Sequence, residues 1–386
     1  MISYGKQYID NNDIKAVNKV LKSNFLTQGP LIERFEKSLQ NYFSCKYVNV
    51  VSNGTAALHL SVLALGIKKN DLVITSPNTF LATANSAIYV GAKIDFVDID
   101  RFTFNLDPNL LEDKIKKLKG KNRKIKAVIV TDYAGHPAEW KSLFSLSRKY
   151  NFYLINDNCH SLGSYYNNKR NYSLQYADAA TLSFHPVKTI TTGEGGAVLT
   201  RHKEVYKKIN LLRNHGIDRD KNILNKKGIW FYKMENLGYN YRITDIQCAL
   251  GLSQLKKVEQ FLKKRRRIAY KYNELFDDNT NLTTPFESSN IRHAYHLYPL
   301  QVDFDNIKTK KKNLFKKFLS HNIKLQVHYV PLHLQPFYKK NFGFKYGDFP
   351  ITEKFYEKEV SLPIFYSLKD NELRKVGKLI NYYTKN

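Results

Sequence analysis

From Tyr47 to about Thr200 the chain alternates short apolar runs with helical segments, and this alternation limits the fold more than any other feature. Runs at 47–51, 71–75, 94–99, 127–132, 152–157, 179–184 and 196–200 read as buried strands. Strands buried on both faces and joined through helices make a mostly parallel sheet covered on either side. Ligands of such sheets bind beyond the carboxyl ends of the strands. The chemistry is therefore sought where the runs end.

Flanking segments extend the outline. A helix is expected from Asp13 to Lys22, with Ile14, Val17, Val20 and Leu21 on one face. Pro30 suits the first position of the next helix, whose apolar stripe is Leu31, Phe35, Leu39 and Tyr42. A long helix is expected from Asp245 to Phe276, then strands at Tyr295–Val302 and Lys324–Tyr329 around a helix near 309–320. The change of pattern near 250 divides the chain into a large domain, 1–250, and a small C-terminal domain, 251–386.

Among the strand ends, the segment Ser183–Gly196 carries most information. Lys188 lies between the run ending at Phe184 and a glycine-rich bend. A lysine held in place and partly desolvated has a lowered pKa and can form a Schiff base. Pyridoxal 5'-phosphate (PLP) is held in this way.

Three other strand ends supply what that cofactor requires. Asp157 closes the run Phe152–Asp157 and could keep a pyridine nitrogen protonated, although many strands simply end in a solvated acid. Ser52-Asn53-Gly54-Thr55 opens an Ala/Leu-rich helix that Gly66 can close. Its first amides and the Thr55 hydroxyl suit a phosphate, while Ser52 or Asn53 could merely cap the helix. Phe80, one turn beyond the strand ending at Thr75, could stack on a ring or belong to the core. No G-x-x-x-x-G-K-[ST] occurs, so nothing supports an ATPase.

The ordered set Ser52–Leu58, Thr79-Phe80 with Ala82–Asn85, Asp157 with His160, Ser183–Lys188, Leu212–Gly216 and Gly238–Asp245 resembles the DegT/StrS family of PLP-dependent sugar aminotransferases. The likeness runs from about Tyr4 to the last helix. Tyr4–Asp10, Leu26–Pro30 and Ser183–Gly196 are similar to the branch of the family that serves pseudaminic acid biosynthesis. The resemblance implies a fold-type I aminotransferase, with a large α/β domain, a smaller α+β domain and a homodimer with shared active sites. It implies transfer of an amino group from L-glutamate to C4 of a UDP-linked 4-keto-6-deoxy-N-acetylhexosamine. By the same resemblance Lys188 is the catalytic lysine, and Gly54, Thr55 and Ser183 hold the phosphate, joined by Asn236 from the partner subunit. Asp157 serves the pyridine nitrogen, Phe80 stacks, and His160 lies near the ring hydroxyl. Family dehydratases carry His in place of this lysine, so Lys188 favours amino transfer. Asn158 and Cys159 depart from the small residues usual beside the acid, but leave Asp157 and His160 in place.

Arg213, His215, His328 and Tyr329 combine cations, imidazoles and a phenol as a diphosphate or uracil site would; His328 and His333 read equally well as ordinary polar residues. Other acceptors, GDP- or dTDP-linked keto-sugars, stay open. So does a non-catalytic nucleic-acid binder, whose one support is the formal charge of +28, from 62 basic against 34 acidic residues. Those basic residues are spread along exposed-looking helices without zinc-finger or leucine-zipper patterning, and abundant Asn, Ile and Tyr suggest A/T-biased coding instead. No nucleic-acid partner is expected. No run of about 18 apolar residues predicts a membrane span. Cys45, Cys159 and Cys248 are scattered and lack metal-ligand spacing, and the N-terminus lacks a basic segment followed by an apolar run. A cytoplasmic protein without a metal is the expectation.

Overall fold

The computed structural model describes residues 1–120, 123–218 and 228–385. Its central sheet contains every run anticipated between 47 and 200: β1 (Tyr47–Val51), β2 (Leu72–Thr75), β3 (Lys93–Phe96), β4 (Ile125–Thr131), β5 (Tyr153–Asp157), β7 (Ala179–Ser183) and β8 (Gly196–Thr200). Between β5 and β7 a short strand, β6 (Tyr165–Tyr166), pairs elsewhere. The order across the sheet is β1-β8-β7-β5-β4-β2-β3. β3, β2, β4, β5 and β7 pair in parallel, and β8 is antiparallel to both of its neighbours. Apolar residues cover both faces. One cluster includes Leu58, Leu60 and Ile129, and another includes Val128, Leu143 and Leu154. The fold is the mostly parallel α/β arrangement expected from the alternating runs.

The remaining strands are short: β9 (Ile217–Asp218) with β10 (Lys233–Met234), β12 (Ile291–Arg292) with β6, and the sheet β11-β13-β14 (Leu282–Thr283, Tyr298–Val302, Glu359–Leu362). This last sheet anchors a separate apolar cluster. Helices Val258–Phe276, Lys311–Ser320 and Asp370–Thr384 bury Tyr272, Leu314 and Val376 against Leu300.

Several boundaries differ from expectation. The anticipated helix 245–276 is two, Asp245–Leu255 and Val258–Phe276, and residue 250 lies inside the first. Residues 324–329 form no ladder strand. Gln326 makes one bridge to Ser361, and the His328 amide donates to the Glu359 carboxylate rather than to a strand carbonyl. The first helix begins at Asn11 because the Asp10 carboxylate caps it. Of its expected apolar face only Val20 is buried; Ile14 and Leu21 are exposed. Helix Pro30–Phe43 buries Phe35 and Leu39 as expected.

Candidate active site

The carboxyl ends of β5 and β7 and the loops beyond them open on a cavity of about 630 Å³. Lys188, Asp157, Gly54, Thr55, Phe80, His160, Ser183, His328 and Tyr329 all line it. Lys188 lies in the loop between β7 and β8, held by the hydrogen bond from its amide to the His185 carbonyl. The Ser183–Gly196 register closes that loop. Burial lowers the Lys188 amine below the usual lysine range; the Arg265 guanidinium acts the same way, while Cys159 and Asp157 oppose it.

Asp157 is 4 % exposed, and no basic side chain makes a salt bridge to it among the described residues. Its Oδ2 accepts a 2.6 Å hydrogen bond from the Thr83 hydroxyl, and its Oδ1 accepts a 3.3 Å bond from the Cys159 amide. A buried carboxylate on the wall of a cavity calls for a cationic partner, and a protonated pyridine nitrogen supplies one.

The phosphate cradle has the required close approach. Asn53 caps helix Gly54–Ala64 by accepting from the Ala56 amide at 2.8 Å, which leaves the Gly54 and Thr55 amides without intrahelical bonds. A Cβ at Gly54 would stand 2.8 Å from Ser183 Cβ, so only glycine lets this backbone meet β7. Phe80 is 52 % exposed, which excludes a core role, and its ring lies 6.0 Å from that of Tyr329. His160 Nε2 lies 3.0 Å from the Tyr329 hydroxyl, while its buried Nδ1 has no partner among the described residues. These groups fit PLP.

Four candidates lie outside the cavity of the single chain. Arg213 lines a separate cavity of about 690 Å³ and is tied at 2.6 Å both to the Glu36 carboxylate and to the Val50 carbonyl. His215 and Asn236 are exposed, and the Asn236 carbonyl packs against Gly216. His333 is buried in a 2.8 Å pair with Glu353.

Sequence reasoning passed over Tyr4, Thr83 and His296. His296 Nε2 lies 3.4 Å from Lys188 Nζ, and its ring centroid is 4.5 Å from that of His160. Burial first, then the Lys188 charge, holds both imidazoles well below the usual range. The position of His296 follows from long-range packing, and no local motif marks it; Tyr4 and Thr83 lie within motifs, but their contacts come from distant segments.

The profile of the DegT/DnrJ/EryC1/StrS aminotransferase family matches residues 7–381. The chain belongs to that family. It is therefore a PLP-dependent sugar aminotransferase. The chain is similar to the UDP-4-amino-4,6-dideoxy-N-acetyl-beta-L-altrosamine transaminase of Campylobacter jejuni subsp. jejuni, at 41 % identity covering 94 % of this chain and 92 % of that one. It is also similar to the GDP-perosamine synthase of Escherichia coli O157:H7, at 31 % identity over 95 % and 94 % of the two chains. Among solved structures it is similar to PseC of Helicobacter pylori, an aminotransferase involved in pseudaminic acid biosynthesis. That match has a TM-score of 0.90 and 32 % identity, and covers 100 % and 99 % of the chains. Among the described residues no helix is long and apolar enough to cross a membrane.

Proposed function

We propose that this aminotransferase moves the amino group of L-glutamate to C4 of a UDP-linked 4-keto-6-deoxy-N-acetylhexosamine, the amination step of pseudaminic acid biosynthesis, in the cytoplasm. The observation that carries the reading is the convergence of Lys188, Asp157 and the Gly54–Thr55 helix start on one cavity, in a chain 41 % identical to a transaminase of that sugar.

When bound, PLP supplies an electron sink for the carbanion formed at the donor's Cα. Lys188 holds the cofactor and, once released, takes a proton at Nζ and returns it across the reacting carbons; its lowered pKa leaves the amine free to do so. Asp157 keeps the pyridine nitrogen protonated. The Gly54 and Thr55 amides and the Ser183 hydroxyl hold the phosphate, Phe80 lies against the ring, and His160 serves the ring hydroxyl. Glutamate leaves as 2-oxoglutarate before the keto-sugar enters, a ping-pong order. His328 and Tyr329 contact the sugar nucleotide from the cavity wall.

The active unit in this reading is a homodimer that shares its sites. Phe25, Leu26, Trp230 and Leu237 are exposed on the single chain, and Asn236 lies outside its cavity. Asn236 then completes the phosphate cradle of the partner, and His215, beside the glycine against which Asn236 packs, reaches the partner's substrate, while Arg213 is held in the scaffold by Glu36 and the Val50 carbonyl. Residues 1–250 serve as the cofactor domain and 251–386 as the small domain.

A second acceptor class has one observation in its favour, the 31 % identity to a GDP-perosamine synthase. Mass spectrometry of product after incubation with glutamate and UDP-, GDP- or dTDP-linked 4-keto sugars decides between them. Amination of the UDP sugar alone supports the proposal; amination of the GDP sugar alone replaces it.

A further inference from the structure

Glu359 opens β14 and is fully buried. Its Oε1 accepts a 2.5 Å hydrogen bond from the Ser361 hydroxyl, and its Oε2 accepts one of 3.0 Å from the His328 amide. Ser361 Oγ lies 2.8 Å from His328 Nδ1. The His328 ring in turn lines the ligand cavity, and its Nε2 has no hydrogen-bond partner among the described residues. A continuous chain therefore runs from a buried carboxylate to an open imidazole nitrogen.

The direction of these bonds follows from donor inventory. An ionised Glu359 can only accept, so Ser361 spends its one proton on Glu359. Ser361 Oγ must then accept from His328, which places the ring hydrogen on Nδ1 and leaves Nε2 as a bare lone pair facing the cavity.

We propose that Glu359, Ser361 and His328 form a proton relay that presents a proton-accepting Nε2 to the ligand and stores the accepted proton at Glu359. A proton bound at Nε2 forms an N–H bond there, and the Nδ1 proton passes to Ser361 Oγ. The hydroxyl proton of Ser361 passes to Glu359 Oε1. The imidazole ends neutral with its tautomer exchanged, and Glu359 ends as a neutral acid. The ligand group served is an acidic N–H or O–H: the ammonium of the amino donor or a hydroxyl of the sugar. This use of the relay rests on the aminotransferase reading; the relay itself rests on the geometry.

The surroundings favour exchange. Burial raises the Glu359 carboxyl, opposed by the Ser361 hydrogen bond, the Lys311 amine and the His328 amide. Lys311 faces it from helix Lys311–Ser320, itself lowered by burial and raised by Glu359 and Glu357. Tyr133 donates to the His328 carbonyl at 2.5 Å, and the Tyr133 and Tyr329 phenols also feel the Glu359 charge. The Tyr4 ring stands 5.2 Å from the His328 ring. Burial and then the Lys188 charge press His328 down to about 3, so an imidazolium is a poor resting store and the proton moves on to Glu359.

Nitrogen-15 NMR of the histidine rings in the PLP-loaded protein tests this without any substrate, with His328→Gln assigning the signal. The expected result is an Nδ1–H tautomer at high pH that exchanges to Nε2–H as pH falls through the raised Glu359 pKa, with no imidazolium at the transition. In Glu359→Gln the tautomer should stop responding to pH. One unchanging tautomer in the wild type, or direct passage to imidazolium, overturns the relay. Single-turnover rates of Ser361→Ala then locate its use. Tenfold or greater slowing of the glutamate half-reaction points to the ammonium, and equal slowing confined to the keto-sugar half-reaction points to a sugar hydroxyl. Unchanged rates in both halves overturn the role in the reaction. A relay seen by NMR in a protein that aminates no sugar would sink the substrate assignment and leave the relay standing.

Discussion

Thr83 donates its hydroxyl to Asp157 Oδ2 at 2.6 Å across 74 residues of sequence. Thr79 Oγ1 stands 2.8 Å from Thr83 Oγ1 and 2.7 Å from Thr131 Oγ1, so a file of three buried hydroxyls leads to the carboxylate. A fixed donor holds the Asp157 carboxyl group aimed into the cavity.

Thr83→Val removes that donor and adds none. A hydrogen bond to a charged group contributes about 1.5–3 kcal/mol, so the cofactor-free protein should lose stability of that order in urea unfolding. Loss well under 0.5 kcal/mol would show that Asp157 does not depend on Thr83.

Cofactor capture should follow the Lys188 amine. Its folded pKa is lowered, chiefly by burial, so the neutral, nucleophilic form grows in as pH rises through a value below the ordinary 10.4 or so. The rate of PLP attachment, followed by absorbance, should rise with pH and level off before that value. A rate still climbing past it would contradict the desolvated lysine.

Arg213 tests the division between scaffold and site. Its pair with Glu36 is largely shielded, with side chains 13 % and 10 % exposed. Breaking a buried pair on one side costs about 3–5 kcal/mol, so Arg213→Ala should lower the unfolding free energy by roughly 3 kcal/mol. Intact stability with a raised KM for the sugar nucleotide would instead place Arg213 in substrate binding.

Gly54→Ala would set a methyl 2.8 Å from Ser183 Cβ. The helix start and β7 would have to part, and the cradle between them should lose PLP affinity by tenfold or more in equilibrium dialysis. Unchanged affinity would move the phosphate elsewhere.

The sheet was readable because its strands are short runs rich in apolar and β-branched residues, broken by single polar residues such as Asn49, Asp95 and Lys126, and the cofactor groups stand at or just beyond their ends. Asp157, Gly54 and Lys188 were therefore found by position. The break at Lys256–Lys257 was not readable, since the apolar stripe continues through it. Ile14 and Leu21 carry helical spacing yet are exposed on the single chain, because periodicity reports an apolar face and not what covers it. Thr83, His296 and the Glu359–Ser361 pair escaped notice for another reason. Their roles come from contacts between distant segments, and a lone Thr, His or Ser carries no local signal of its partner.

The central claim is tested most directly by following the absorbance of the PLP-loaded protein through both halves of the reaction. The account predicts a band from lysine-bound cofactor that bleaches with glutamate and returns with the UDP-linked 4-keto sugar, and that is absent in Lys188→Ala. A band that bleaches with glutamate and fails to return with this sugar would contradict the substrate assignment. A well-folded protein that shows no band would contradict the site itself.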